Sequence, residues 1–189
     1  MNDARNPRVL VGATGSIAVS MLPRYLDALR ERLGGTYTVL MTSTAATFIP
    51  PHTIGLSAER VVAGESPSDW PTDKPSRLAA DHDLMLVLPA TANILSAAAT
   101  GAAPNRLATV ILAVTYPVIF FPHMGAAMWD KPAVRRNVAQ LREDGHHVVD
   151  PVWHESYDVV SGSVSGHPAI PSPQDVVKAV QRLLAGRLT

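Results

Sequence analysis

Three short segments concentrate the residues that could do chemistry. The first is GATGSIA, Gly12–Ala18. Glycine lets backbone N–H groups approach a phosphate, a following helix offers a favourable partial charge at its N-terminus, and Thr14 and Ser16 add hydroxyl donors. The segment is neither the GxGxxG fingerprint nor a Walker loop, and a tight strand-to-helix turn is its plainer reading. The second is PATAN, Pro89–Asn93. Its small side chains leave room for a planar ring, and Asn93 can donate to and accept from the edge of that ring. An Asn helix cap after a Pro turn is the plainer alternative. The third is FPHMGAAMW, Phe121–Trp129. Polarizable Met124 and Met128 and flat Trp129 make good pocket walls, with Pro122 and His123 in the loop, although Met and Trp beside Gly and Ala also suit a core.

These segments need elements to aim them. RVLVG (Arg8–Gly12) reads as a short buried strand. It is followed by an amphipathic helix from about Val19 to Leu33, ended by Gly34 and Gly35. YTVLM (Tyr37–Met41) is a second strand, and Thr42–Thr44 can cap the next helix. Such a β-loop-α-β opening produces parallel sheets. Residues 50–76, rich in Pro, Ser and Asp, read as a long surface excursion. LMLVL (Leu84–Leu88) is apolar throughout, as a strand buried on both faces should be. NILSAAAT (Asn93–Thr100) reads as a helix, Ala108–Val114 and Val118–Phe121 as further strands, Pro132–Glu143 as a helix and His147–Val149 as a short strand. A Ser/Gly/Pro-rich arm at 151–171 precedes a C-terminal helix, Pro173–Leu184. Ligands of open α/β sheets bind beyond the carboxyl ends of the strands. The Gly12 loop, the Thr42–Thr44 turn and PATAN therefore line one rim, and together suggest a nucleotide-like ligand.

Composition narrows the classes. The chain of 189 residues suits one domain, 1–189, and its 47% hydrophobic residues, mostly Ala, Val and Leu, fit an α/β protein with a buried sheet. Net charge is zero, so no electrostatic footprint for nucleic acid or an anionic membrane is present. There is no Cys, which removes disulfides, thiolate metal sites and a cysteine nucleophile; no metal is expected. No apolar run approaches the ~20 residues of a membrane span, and the polar start MNDARNPR lacks a signal-peptide core, so a cytoplasmic protein is expected.

The three segments together resemble the homo-oligomeric flavin-containing cysteine decarboxylases, which include phosphopantothenoylcysteine decarboxylase and the epidermin-type peptidyl-cysteine decarboxylases of peptide natural-product biosynthesis. The family motif PASANT or PATANT appears as PATANI (Pro89–Ile94), PxMNxxMW as PHMGAAMW (Pro122–Trp129), and GxxDNL is echoed by GAAPNRL (Gly101–Leu107). The resemblance, from about Arg8 to Pro171, implies a Rossmann-like, flavodoxin-like three-layer sandwich that binds FMN, less often FAD, and forms trimers that can build a dodecamer. It implies flavin phosphate at Thr14, Gly15, Ser16, Ile17, Thr42 and Thr44, with Phe48 nearby, and the ring against Pro89, Ala90, Thr91, Ala92 and Asn93. Met124, Met128 and Trp129 would line the substrate side.

Three family residues are replaced, the aspartate of GxxDNL being Pro104 here. A histidine before the buried strand is Lys74 here, and the substrate-binding asparagine of PxMNxxMW is Gly125. Lys74 or His123 could substitute, His52 could supply the missing imidazole, or the protein could bind flavin as a partner without catalysis. Phosphopantothenoylcysteine decarboxylases use a cysteine to reduce the enethiol, whereas the peptidyl enzymes stop at the enethiol. A chain without Cys therefore resembles the second type. The substrate expected is a precursor peptide with a C-terminal Cys, with other biosynthetic enzymes as possible partners and 151–171 as a flexible substrate clamp.

Overall fold

β1 (Arg8–Ala13) is buried at every position after its first, and β4 (Leu84–Ala90) at every position. Strands that are apolar on both sides need cover on both sides. The computed structural model, which describes residues 6–64, 66, 70–159 and 162–185, provides it. β2 (Thr36–Met41), β3 (Arg60–Ala63), β5 (Val118–Pro122) and β6 (His147–Val148) join β1 and β4 in a six-stranded parallel sheet ordered β3-β2-β1-β4-β5-β6. This is the doubly wound, Rossmann-like and flavodoxin-like α/β arrangement.

Alternation along β1 builds both cores. Val9, Val11 and Ala13 pack with Leu22, Leu26 and Leu29 of α1 (Leu22–Leu33) and Val176, Val177 and Val180 of α10 (Pro173–Ala185). Leu10 belongs to the opposite core, with α6 (Ala92–Thr100), α7 (Arg106–Ala113) and α9 (Pro132–Glu143). The strand order reverses between β1 and β4, so the crevice at their carboxyl ends is the natural ligand position.

The structure differs from the sequence reading in two places. Ala108–Val114 is not a strand; it forms most of α7, whose N-cap Asn105 accepts from Ala108 N–H at 2.9 Å. The Val and Ile of this short apolar run suit a strand, but Leu107, Ala108, Val110 and Ile111 recur at helical spacing and are buried together. Residues 50–76 are not only an excursion. They hold α3 (Pro51–Ile54), edge strand β3, α4 (Trp70–Asp73) and the start of α5 (Pro75–Ala80), with 65 and 67–69 outside the described residues. The stretch 151–171 forms an antiparallel hairpin, β7 (Val152–Asp158) and β8 (Ser163–Ala169), with 160 and 161 outside the described residues.

Candidate functional site

At the strand reversal the β1 and β4 loops are stitched by one buried hydroxyl. Thr14 Oγ1 donates to the Pro89 carbonyl at 2.8 Å and accepts from Thr91 N–H at 3.1 Å. A 3-10 turn, Ile17–Met21, starts after the loop, and Ser16 caps it by accepting from Ala18 N–H. Thr42 caps α2 (Ser43–Phe48) by accepting from Ala45 N–H at 3.2 Å. Thr91 begins α6 without a side-chain capping bond, so its hydroxyl is not spent on the helix.

These loops enclose a cleft of about 340 Å³ lined by Thr14, Gly15, Thr42, Ser43, Thr44, Thr91, Ala92, Asn93, Ile94, Asn105 and Met128. The first residues of α2 and of α6 both face it. The leading N–H groups of a helix have no intrahelical acceptor and carry its positive dipole end, so two such ends favour an anion. Among the described residues, no Lys or Arg lines the cleft. The donors include backbone N–H groups, the hydroxyls of Ser43, Thr44 and Thr91 and the Asn93 amide, a set that fits a phosphate and a neutral ring edge. Gly15 makes the closeness possible: a Cβ there would lie 2.3 Å from Thr44 Cγ2 and 2.6 Å from Thr44 Cβ.

The structure thus brings Thr14, Gly15, Thr42, Thr44, Thr91, Ala92, Asn93 and Met128 together. Other expected residues sit differently. Thr14 and Thr42 have hydroxyls engaged in the fold, so they shape the loops rather than offer free donors. Pro89 and Ala90 are buried in β4 beneath the rim. Ile17 and Phe48 point outward, 63% and 46% exposed, and do not line the cleft. Trp129 is 3% exposed in the core between α8 (Ala126–Trp129) and α9, with the Arg135 guanidinium 4.6 Å from its ring centroid; it is not a cleft wall. Met124 is likewise buried. Lys74, exposed at the N-cap of α5, and His52, exposed on α3, are not among the lining residues. Gly125 is exposed, and nothing lies within 4 Å of where its Cβ would be. The sequence reading assigned no role to Asn105, which lines the cleft while capping α7; its signal was the GAAPNRL segment.

His123 stands at the side of this arrangement. Its backbone N–H donates to the Ala90 carbonyl at 3.0 Å, and its Nδ1 shares a 2.6 Å hydrogen bond with Ser16 Oγ. Burial pushes its pKa below the ordinary imidazole value, and nearby His167 adds to the depression. His82 and His146 are also lowered, chiefly by burial. His146 Nδ1 accepts from Val118 N–H at 3.1 Å, which a protonated nitrogen cannot do. All three imidazoles are favoured neutral in the fold. Below the unfolded value of about 6.5, the unfolded chain binds more protons than the folded one, so their stabilisation is complete above that pH and is lost as pH falls through the folded values. The melting temperature is expected to drop between pH 7.5 and pH 5.5; a flat thermal-melt profile over that range would contradict the assignment.

Comparison with known proteins converges on one group. A family model described as Flavoprotein matches residues 1–185. The chain is 33% identical over 180 residues to the mersacidin decarboxylase of Bacillus sp. (strain HIL-Y85/54728), covering 94% of this chain and 91% of that protein. It is 33% identical over 193 residues to the phosphopantothenoylcysteine decarboxylase of Mus musculus, covering 97% and 90%. Among solved structures it is similar to the FMN-dependent cysteine decarboxylase SpaF, with TM-score 0.75, 31% identity and coverage of 95% and 98%. It is also similar to a variant of the peptidyl-cysteine decarboxylase EpiD complexed with the substrate peptide DSYTC, with TM-score 0.81, 25% identity and coverage of 90% and 96%.

Proposed function

The chain belongs to the flavoprotein family, among its cysteine decarboxylases, and on that premise we propose that it binds FMN in the β1–β4 cleft and oxidatively decarboxylates the C-terminal cysteine of a ribosomally made precursor peptide. The observation that carries the reading is the pair of helix N-termini, α2 and α6, meeting at the strand reversal with hydroxyls and, among the described residues, no basic side chain. Gly15, Ser43 and Thr44 would hold the phosphate, and Thr91, Ala92 and Asn93 would face the ring. When bound, the flavin would supply a two-electron acceptor for the hydride of the cysteine Cβ, the thiol giving up its proton, so that the thioaldehyde would let the neighbouring carboxylate leave as CO₂ with an enethiol remaining.

What this chain's residues do is position and discriminate. Met128, 49% exposed on the cleft wall, offers apolar surface to the peptide end. His123, which bonds Ser16 of the β1 loop beside the cleft and lies two residues before Gly125, takes over carboxylate recognition, because Gly125 has no side chain to give. The β7–β8 hairpin is the clamp over the peptide. The peptidyl substrate is favoured over phosphopantothenoylcysteine because the sequence contains no Cys to reduce the enethiol. The exposed apolar side chains Ile17, Met21 and Phe48, on two elements packed together, support a homo-oligomer, read as a trimer.

A second reading, a flavin-binding partner without catalysis, is favoured by Gly125 and by the position of Lys74. One experiment separates the two. The flavin-loaded protein is incubated in air with a peptide ending in Cys and, separately, with phosphopantothenoylcysteine, and products are weighed by mass spectrometry. The peptide is expected to lose about 46 Da, the mass of CO₂ and two hydrogens. An unchanged peptide with flavin bound would remove the enzyme reading, and loss only from phosphopantothenoylcysteine would reassign the substrate.

A further inference from the structure

His154 lies opposite His167 across the β7–β8 ribbon, and Ser156 opposite Ser165. Directly opposed residues share a face, so these four side chains form one polar face, and Trp153, Glu155, Tyr157 and Val164 the other. The polar face meets His123. The His123 and His167 ring centroids are 6.3 Å apart at an interplanar angle of 72°, and those of His154 and His167 are 5.9 Å apart at 73°. Ser16 bonds His123 at one end, and Ser156 Oγ lies 2.8 Å from His167 Nε2. A row of imidazoles and hydroxyls therefore runs from the β1 loop beside the cleft out along the hairpin.

Of the ribbon's two carboxylate residues, Glu155 is on the opposite face, and Asp158 is on the polar face at its far end, opposite Ser163 and two same-face pairs beyond the His154–His167 pair. α8, which packs on β8, brings only Ala, Met and Trp, and His167 adds to the effect of burial in lowering His123. Among the described residues, no group of three His, Asp or Glu is placed to hold a metal ion. Burial and the neighbouring His167 hold His123 below the ordinary imidazole value, and an anion placed at the pair reverses that preference. The anion the proposed reaction brings to this position is a carboxylate, arriving next to Gly125, where no side chain competes for it.

We propose that His167, delivered by the hairpin, acts with His123 as the receptor for the carboxylate of the substrate's terminal residue, the pair taking up a proton as the carboxylate binds. This rests on the peptidyl-cysteine decarboxylase reading of the cleft. It ties substrate loading to hairpin closure, because only the ribbon's polar face carries the second imidazole. It also provides release: once the carboxylate has left as CO₂, the anion holding the proton and the ribbon is gone.

The test uses the flavin-loaded protein and an unreactive probe, a pentapeptide ending in serine, with its C-terminal amide as control. Titration calorimetry at pH 7.5 in buffers of different ionisation heat counts protons bound with the peptide. The native protein is expected to take up about one proton with the free acid and none with the amide. His167→Gln is expected to lose the uptake and bind the acid about tenfold more weakly while binding the amide as before. Unchanged flavin absorbance reports that the variant is folded. Trp153→Ala, on the other face of the ribbon, is expected to keep the uptake. Equal uptake and affinity in His167→Gln would overturn the receptor even if native protein processes cysteine peptides. Loss of both in His167→Gln, in a protein that leaves cysteine peptides intact, would support the receptor and remove the reaction.

Discussion

Gly15→Ala is expected to strip the flavin from the protein while leaving the sheet folded. The β1 loop and the start of α2 approach so closely that an added methyl would fall 2.3 Å from Thr44 Cγ2 and 2.6 Å from Thr44 Cβ. Rotating the Thr44 side chain relieves only the first contact; the second is fixed by the α2 backbone. The N-terminus of α2 must move outward, and one of the two helix ends that face the cleft goes with it. Charge-assisted hydrogen bonds are worth about 1.5–3 kcal/mol each, so losing two of them weakens FMN binding by a hundredfold or more. Both cores lie beneath the loop and keep their packing. The check is flavin content after gel filtration together with far-UV circular dichroism. A variant that stays fully loaded would mean that the phosphate does not lie between Gly15 and Thr44.

Trp129→Ala is expected to act on the fold rather than on the peptide. The indole is 3% exposed, and Arg135 caps it at 4.6 Å. Truncating a buried Trp to Ala costs about 3–5 kcal/mol, a large part of the roughly 5–15 kcal/mol that holds a domain together. For a chain of this size the melting temperature should fall by about 6–20 °C. The family motif ending in MW invites a different expectation, that Trp129 forms the substrate wall. If Trp129→Ala kept its melting temperature and lost turnover, that expectation would hold and the packing reading would fail.

Trp129 shows where the sequence was legible and where it was not. The β1, β2 and β4 strands stand out as apolar runs ending in glycine, threonine or PATAN, and their loops converge as expected because parallel strands end at one rim. A motif, however, does not say which side of its short helix faces the ligand. Met128 and Trp129 are adjacent on α8 and point to different places, one to the cleft and one to the core. β3 was hidden because a four-residue edge strand within Pro- and Ser-rich sequence has little periodicity to read. His167 went unassigned for another reason. Its contact with His123 depends on the cross-strand register of the hairpin and on where the ribbon lies, neither of which is written in local spacing.

The central claim is that flavin in the β1–β4 cleft draws two electrons from a peptide's terminal cysteine. It is tested most directly without oxygen, by mixing flavin-loaded protein with a peptide ending in Cys and following absorbance at about 450 nm. The colour is expected to bleach, with one decarboxylated peptide formed per flavin. Flavin that stays oxidised in the presence of bound peptide would contradict it.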